Sequence, residues 1–178
     1  RAAFDVAGVA VTPHGLEHGW VRKRSTRAAK RSFLAFLILP PTPDAPLPCA
    51  FPAPDARLGL ALHAGVEACG PPRVPVYHAD TLNDQLDAAA ARVVGHFLAR
   101  DAATAWLPPI CRYYPEDFRA ADGAFRPGPV AAAVAQLAAG SGPGRELARR
   151  LQRGAKVKAA DFDCAPVGLR RLVPVRSE

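Results

Sequence analysis

Apolar and polar positions follow different rhythms in different parts of this chain, and each rhythm predicts a different element. Between residues 81 and 98, Leu82, Leu86, Ala89, Ala90, Val93 and Phe97 recur at intervals of three or four. That spacing places them along one face of a helix, which must lie against a core. Thr81-Leu82-Asn83-Asp84 predicts its start as a capping-box variant, with Asp84 in place of the usual Glu. Arg145–Arg153 repeats the pattern on a shorter scale, with Leu147 and Leu151 inward and Gly154 at the position that favours a helix stop. Pro129 opens an alanine-rich helix running to about Ala139, and Ile110–Tyr114 predicts a short helix introduced by proline. Pro115–Phe118 continues that helix or turns away from it.

Strand-like rhythm appears in shorter stretches. Residues 4–11, Phe-Asp-Val-Ala-Gly-Val-Ala-Val, predict a β-hairpin with Gly8 near the turn. Leu58-Gly-Leu-Ala-Leu-His63 is a compact apolar run that reads as a central strand, and Lys156–Asp163 alternates as an edge strand does. Phe33–Leu39 suits a buried strand or an apolar helical turn. Thr12-Pro13 offers an N-cap and a first helical proline, so a helix carrying Leu16, Glu17, His18 and Trp20 should follow, with a basic continuation to about Arg31. Residues 40–54 are dense in proline and lack periodicity, which predicts a Pro-rich surface loop. Gly140–Gly144 reads as a linker-like turn; it lacks the Gly-Lys-Ser/Thr ending of a phosphate-binding loop. Together these elements predict a single α+β domain, with a small, mainly antiparallel sheet through 4–11, 58–64 and 156–163, flanked by four or five helices.

Composition adjusts this picture only slightly. An apolar share of 49% over 178 residues is enough for one domain with its own core. Heavy use of Ala, Pro and Arg and the lack of Met are a compositional bias rather than a functional signal. A chain beginning at Arg1 rather than Met reads as a processed one with an upstream segment removed. Its longest apolar run falls well short of the roughly 18 residues needed to span a bilayer.

Charge says more. The net charge of +7 is concentrated in two groups. Arg22, Lys23, Arg24, Arg27, Lys30 and Arg31 fall within ten residues; Arg145, Arg149, Arg150, Arg153, Lys156 and Lys158 form the second. Either group is a solvated face or a docking surface for an acidic protein or a lipid headgroup layer. Nucleic acid is disfavoured, because no aromatic residues interleave with these cations in sequence to form a stacking platform. Trp106, Tyr113, Tyr114 and Phe118 are expected to pack against the core.

Five blocks, in order, resemble one family. These are "VAGVAVTPHGLEHGWVR" within Phe4–Arg22, "DARLGLALHAGVEACGPP" at Asp55–Pro72, "YHADTLNDQLDAAAARVVGHFL" at Tyr77–Leu98, "LPPICRYYPEDF" at Leu107–Phe118, and the closing segment Lys156–Leu169. They resemble the domain-of-unknown-function family numbered 547, across nearly the whole chain. Its upstream Phe-Trp-Ile-Asn-x-Tyr-Asn-Ala-Leu helix has no counterpart here. The loop around Cys69 departs from the family pattern, with Ala68 for a small polar residue, Gly70 inserted and His63 in place of an Asn-like residue. The resemblance implies an α+β fold without a known reaction. Some relatives look distantly like cysteine peptidases or transglutaminases, and some plant relatives carry a glutaredoxin-like domain.

Cys69 with His18, oriented by Glu17, is the pair that thiol chemistry would use, since a thiol becomes a nucleophile beside an imidazole or cation. The order of the two residues is the reverse of the usual cysteine-then-histidine arrangement, and a structural cysteine in a proline loop is the competing reading. Cys49, Cys69, Cys111 and Cys164 never form CxxC, which argues against structural zinc and leaves free thiols or two disulfides open. His14–His18 lacks the glutamate position of a zinc protease, and His14, His78 and His96 are scattered and expected to be exposed. No cofactor is expected. The sequence therefore predicts a non-catalytic interaction or scaffold domain, docking on a larger complex or acidic protein surface through Arg22, Lys23, Arg24, Arg27, Lys30 and Arg31. A peripheral subunit of an organellar membrane assembly, in chloroplast or mitochondrion, fits that expectation. The alternative is a thiol-dependent hydrolase or transferase using Cys69 and His18.

Overall fold

The computed structural model describes residues 4–6, 8–12, 16, 55–62, 75–118 and 124–161. Its contacts divide the chain into two units, Arg1–Asp55 and Ala56–Glu178. The fold is mixed α+β, with five α-helices, one 3-10 helix and two two-stranded sheets among the described residues.

In the first unit, β1 (Phe4–Val6) and β2 (Val9–Val11) form the predicted antiparallel hairpin, pairing Phe4 with Val11 and Val6 with Val9. Gly8 has positive φ, and its N–H donates to Asp5 Oδ1 at 3.0 Å, so Asp5 helps to close the turn. Leu16 N–H donates to the Thr12 carbonyl, one helical turn after the strand.

In the second unit, α1 (Ala56–Ala61) replaces the strand expected at 58–64. Its Ala, Arg and Leu residues are strong helix formers, and it contains no β-branched side chain that would favour a pleated strand. An apolar run this short fits a buried helix as well as a strand, and tertiary contacts decide. Here Arg57 decides: it donates to Asp87 Oδ1 at 2.7 Å and to Asn83 Oδ1 at 2.9 Å, pinning α1 to α2 (Leu82–Leu98).

The face predicted for α2 is the face it buries. Leu86, Ala89, Ala90, Val93, Val94, Phe97 and Leu98 all lie in the interior. Its capping box does not form, because Thr81 makes no side-chain cap bond. Gln85 is used instead. Its side chain accepts from His78 N–H and donates to the Val76 carbonyl, stapling the preceding segment to the first turn.

A strand absent from the sequence reading follows: β3 (Thr104–Leu107), which leads through α3 (Ile110–Tyr113) and the 3-10 helix Pro115–Phe118. Its partner β4 (Lys156–Ala159) is parallel, pairing Thr104 with Lys156 and Trp106 with Lys158. Ala160 N–H extends the ladder to the Leu107 carbonyl. The one mainly antiparallel sheet expected through 4–11, 58–64 and 156–163 is thus not what the described residues form. The hairpin and the parallel pair are separate sheets, because the middle strand is a helix and β4 pairs with β3.

Two helices complete the unit. α4 (Pro127–Leu137) starts at Pro127, earlier than the predicted Pro129, since Arg126 is extended and the first proline sits where its missing N–H costs least. α5 (Gly142–Gln152) also starts early, so the expected linker is partly the first turn of a helix. Ser141 caps it, accepting from Gly144 N–H at 3.1 Å. A Cβ on Gly144 would fall on the backbone carbonyl of Ala138, so only glycine lets α5 pack so closely on the end of α4. At its other end Gly154 adopts φ +73°, the left-handed conformation predicted for a helix stop.

The core gathers Leu60 of α1, the inner face of α2, Ala105 and Leu107 of β3, Cys111, Phe118, Val130 and Val134 of α4, and Leu147 of α5. Tyr113 lies outside it, 58% exposed, contrary to expectation, because α3 is a single turn with only Cys111 facing inward. None of the described helices is long and apolar enough to cross a membrane.

Candidate functional site

The residues that sequence reasoning selected first, Cys69, His18, Glu17, Arg22, Lys23, Arg24, Arg27, Lys30 and Arg31, all lie outside the described residues. The second basic group is described, and its members divide into two kinds.

Arg150 is the structural one. Its side chain is only 13% exposed and reaches under the end of α2. One terminal nitrogen, Nη1, lies 3.1 Å from the Leu98 carbonyl, 2.6 Å from that of Asp101 and 3.0 Å from that of Thr104. Two hydrogens therefore serve three acceptors, while Nε donates to Glu146 Oε1 at 3.0 Å. The last carbonyls of a helix have no partner within it and carry partial negative charge, so a guanidinium there answers both needs. The same contact ties α2 to the start of β3. The Arg150 hydrogen bond, with Arg149 and Arg153 nearby, holds the Glu146 carboxyl below the usual carboxylate range.

The rest of the group faces outward. Along β4 the side chains alternate, with Val157 and Ala159 turned toward the core and Lys156 and Lys158 exposed. On β3, Ala105 and Leu107 are buried, while Thr104 and Trp106 are half-buried. Since side chains alternate across a sheet and paired residues stand side by side, Thr104, Trp106, Lys156 and Lys158 share its outer face. Arg100, at the end of α2, completes the group. Its guanidinium carbon lies 5.4 Å from the centre of the Trp106 ring and 5.7 Å from that of Phe97, and Lys158 Nζ lies 5.3 Å from the Trp106 centre. These are cation–π distances.

The cations of the unit differ in their partners, and exposed Arg145 and Arg153 on and beside α5, like the patch, lack a carboxylate partner among the described residues. Arg57, Arg112, Arg149 and Arg150 each have a carboxylate partner, on Asp87, Asp161, Glu146 and Glu146 respectively. Arg100, Lys156 and Lys158 have none among the described residues. Asp101 is the acidic group beside them. Its carboxylate is taken up by Thr104 and by the Ala103 N–H at 2.8 Å, which hold it below the usual range, helped by the charges of Arg150 and Lys158. Sequence reasoning placed Trp106 in the core and missed that it also anchors cations. The missing signal is a register: Trp106 and Lys158 are far apart in the chain and meet only through the parallel pairing.

Thiol chemistry finds no support at the described cysteine. Cys111 is fully buried and reduced, and burial pushes its thiol far up, with Asp117 adding to the effect. His78 and His96 are exposed, as expected. Among the described residues no three His, Cys, Asp or Glu side chains converge as metal ligands would. No family model matches this chain, and no curated protein and no solved structure matches it either.

Proposed function

We propose that this chain is a non-catalytic interaction domain of the family-547 type, which docks on the acidic surface of a larger protein assembly through its exposed cations. The observation that carries this reading is the division of the described cations. Arg57 and Arg150 bridge elements of the fold and have carboxylate partners, whereas Arg100, Lys156 and Lys158 stand exposed without one on the face that carries Trp106. Unpaired like charges on one face repel one another, and a partner bearing carboxylates relieves that repulsion and speeds encounter. The segment Arg22, Lys23, Arg24, Arg27, Lys30 and Arg31 is a second contact in this proposal, and a peripheral place on an organellar membrane complex is its cellular form.

A native pull-down at low and high salt tests the reading. Partners should be lost as salt rises, and replacing Arg22, Lys23, Arg24 and Arg27 by Gln should weaken their retention. Retention unaffected by either change would reduce the basic segments to solvated faces. The same reading requires Cys69 to behave as an ordinary thiol. Labelling of Cys69 by a thiol reagent at neutral pH much faster than Cys49 and Cys164, and slowed by His18→Ala, would favour an enzyme instead.

A further inference from the structure

We infer that the outer face of β3–β4 is a built docking site for an acidic, carboxylate-bearing peptide segment of a protein partner, with Trp106 as its anchor and Arg100, Lys156 and Lys158 as its carboxylate contacts. The inference rests on the proposed interaction role and names the place and the chemistry of the contact.

Three features support a built site rather than a diffuse positive surface. First, the ring of Trp106 holds two of the three cations, at 5.4 and 5.3 Å from its centre. A long side chain restrained against an aromatic face loses less freedom on binding, so these cations are preorganised for a ligand. Second, Trp106 is half-buried against the core cluster, and the strand that carries it is fixed from below by the Arg150 bond to Thr104. A rigid aromatic flanked by an arginine and a lysine brings together residue types, Trp and Arg, in which interaction hot spots are enriched. Third, the neighbouring Asp101 carboxylate accepts from Thr104 and from the Ala103 N–H rather than from a lysine, so it leaves Arg100 and Lys158 free to donate to an external carboxylate.

The geometry also selects between two acidic partners. Single-stranded nucleic acid needs an open aromatic face on which a base can stack. The Trp106 ring packs on the core and carries a guanidinium and an ammonium. It therefore serves as a support for cations, whose outward N–H groups are matched by carboxylates.

The test compares two charge-matched variants of the whole chain. Lys156→Gln/Lys158→Gln removes two cations from the site, and Arg145→Gln/Arg149→Gln removes two exposed cations from α5. Binding of a fluorescent oligoglutamate peptide is followed by anisotropy at low salt, with urea unfolding confirming that both variants fold. The site variant should bind about tenfold more weakly, and the α5 variant less than about twofold. In a Trp20→Phe background the peptide should also change the emission of Trp106 with the same saturation curve. Equal weakening by both variants, or unchanged Trp106 emission, would overturn the site while leaving a general acidic-docking role intact. Failure of the unmodified chain to bind the peptide at all would overturn the role itself. Tighter binding of an oligouridine than of the oligoglutamate, lost with the same two lysines, would overturn the choice of a protein partner.

Discussion

Arg150 and Lys158 lie eight positions apart in one basic stretch, and they use the same charge for opposite purposes. Arg150 points inward from α5 and spends its guanidinium on three backbone carbonyls and Glu146. Lys158 points outward from β4 with only an aromatic ring beneath it. A count of positive residues treats the two alike. The difference comes from the direction of each side chain and from what is within reach. A half-buried cation must have its donors satisfied, whereas an exposed one keeps them for water or a partner.

The corner around Arg150 should be the more fragile region. The largest expected effect there is Gly144→Ala, which drives a methyl group into the Ala138 carbonyl and should cost about 3 kcal/mol in urea unfolding, at the upper end of overpacking effects. Arg150→Ala should follow, at about 2–3 kcal/mol, because it strands the carbonyls of Leu98, Asp101 and Thr104 and removes the partner of Glu146. Hydrogen exchange should rise most at the end of α2 and in β3, and Arg150→Lys should recover only part of the loss, since an ammonium lacks the planar fork. Ser141→Ala, which removes the α5 cap, should cost about 1 kcal/mol.

Acid offers a milder way to separate the two regions. The Glu146 carboxyl lies below its ordinary value in the folded chain. Its contribution is therefore present above the unfolded value, about 4.3, and is lost as pH falls through the lower folded value. Urea midpoints measured from neutral pH downward should show this loss, and Glu146→Gln should flatten that part of the profile. The charge of Lys158 is the smallest of the causes that lower the Asp101 carboxyl, so Lys158→Gln should change the profile less than Glu146→Gln does. Its effect on stability at neutral pH should stay within about 0.5 kcal/mol, the usual range for an exposed position.

The two regions also differ in how far they could be read from sequence. The buried face of α2, the inward Leu147, the hairpin turn at Gly8 and the stop at Gly154 were all legible, because each is a local rule of spacing or backbone conformation. Ala56–Ala61 was misread because six residues are too few for period to outvote apolarity, and the deciding contacts come from Asn83 and Asp87. β3 escaped notice as four residues running into Pro108-Pro109, with its pairing partners more than fifty positions away. The distinction between Arg150 and its neighbours, and the meeting of Trp106 with Lys158, are products of tertiary register and leave no local trace. The basic character of the stretch was legible, and the division of labour within it was not.

Two single substitutions of equal charge, Arg150→Gln and Lys158→Gln, test this division most directly when each is measured for both urea stability and oligoglutamate binding. The division predicts a crossed result: Arg150→Gln loses about 2 kcal/mol of stability, while Lys158→Gln keeps its stability and binds the peptide several-fold more weakly. If Arg150→Gln leaves stability unchanged, or if Lys158→Gln binds as tightly as the unmodified chain, the two cations do not divide structure and recognition between them.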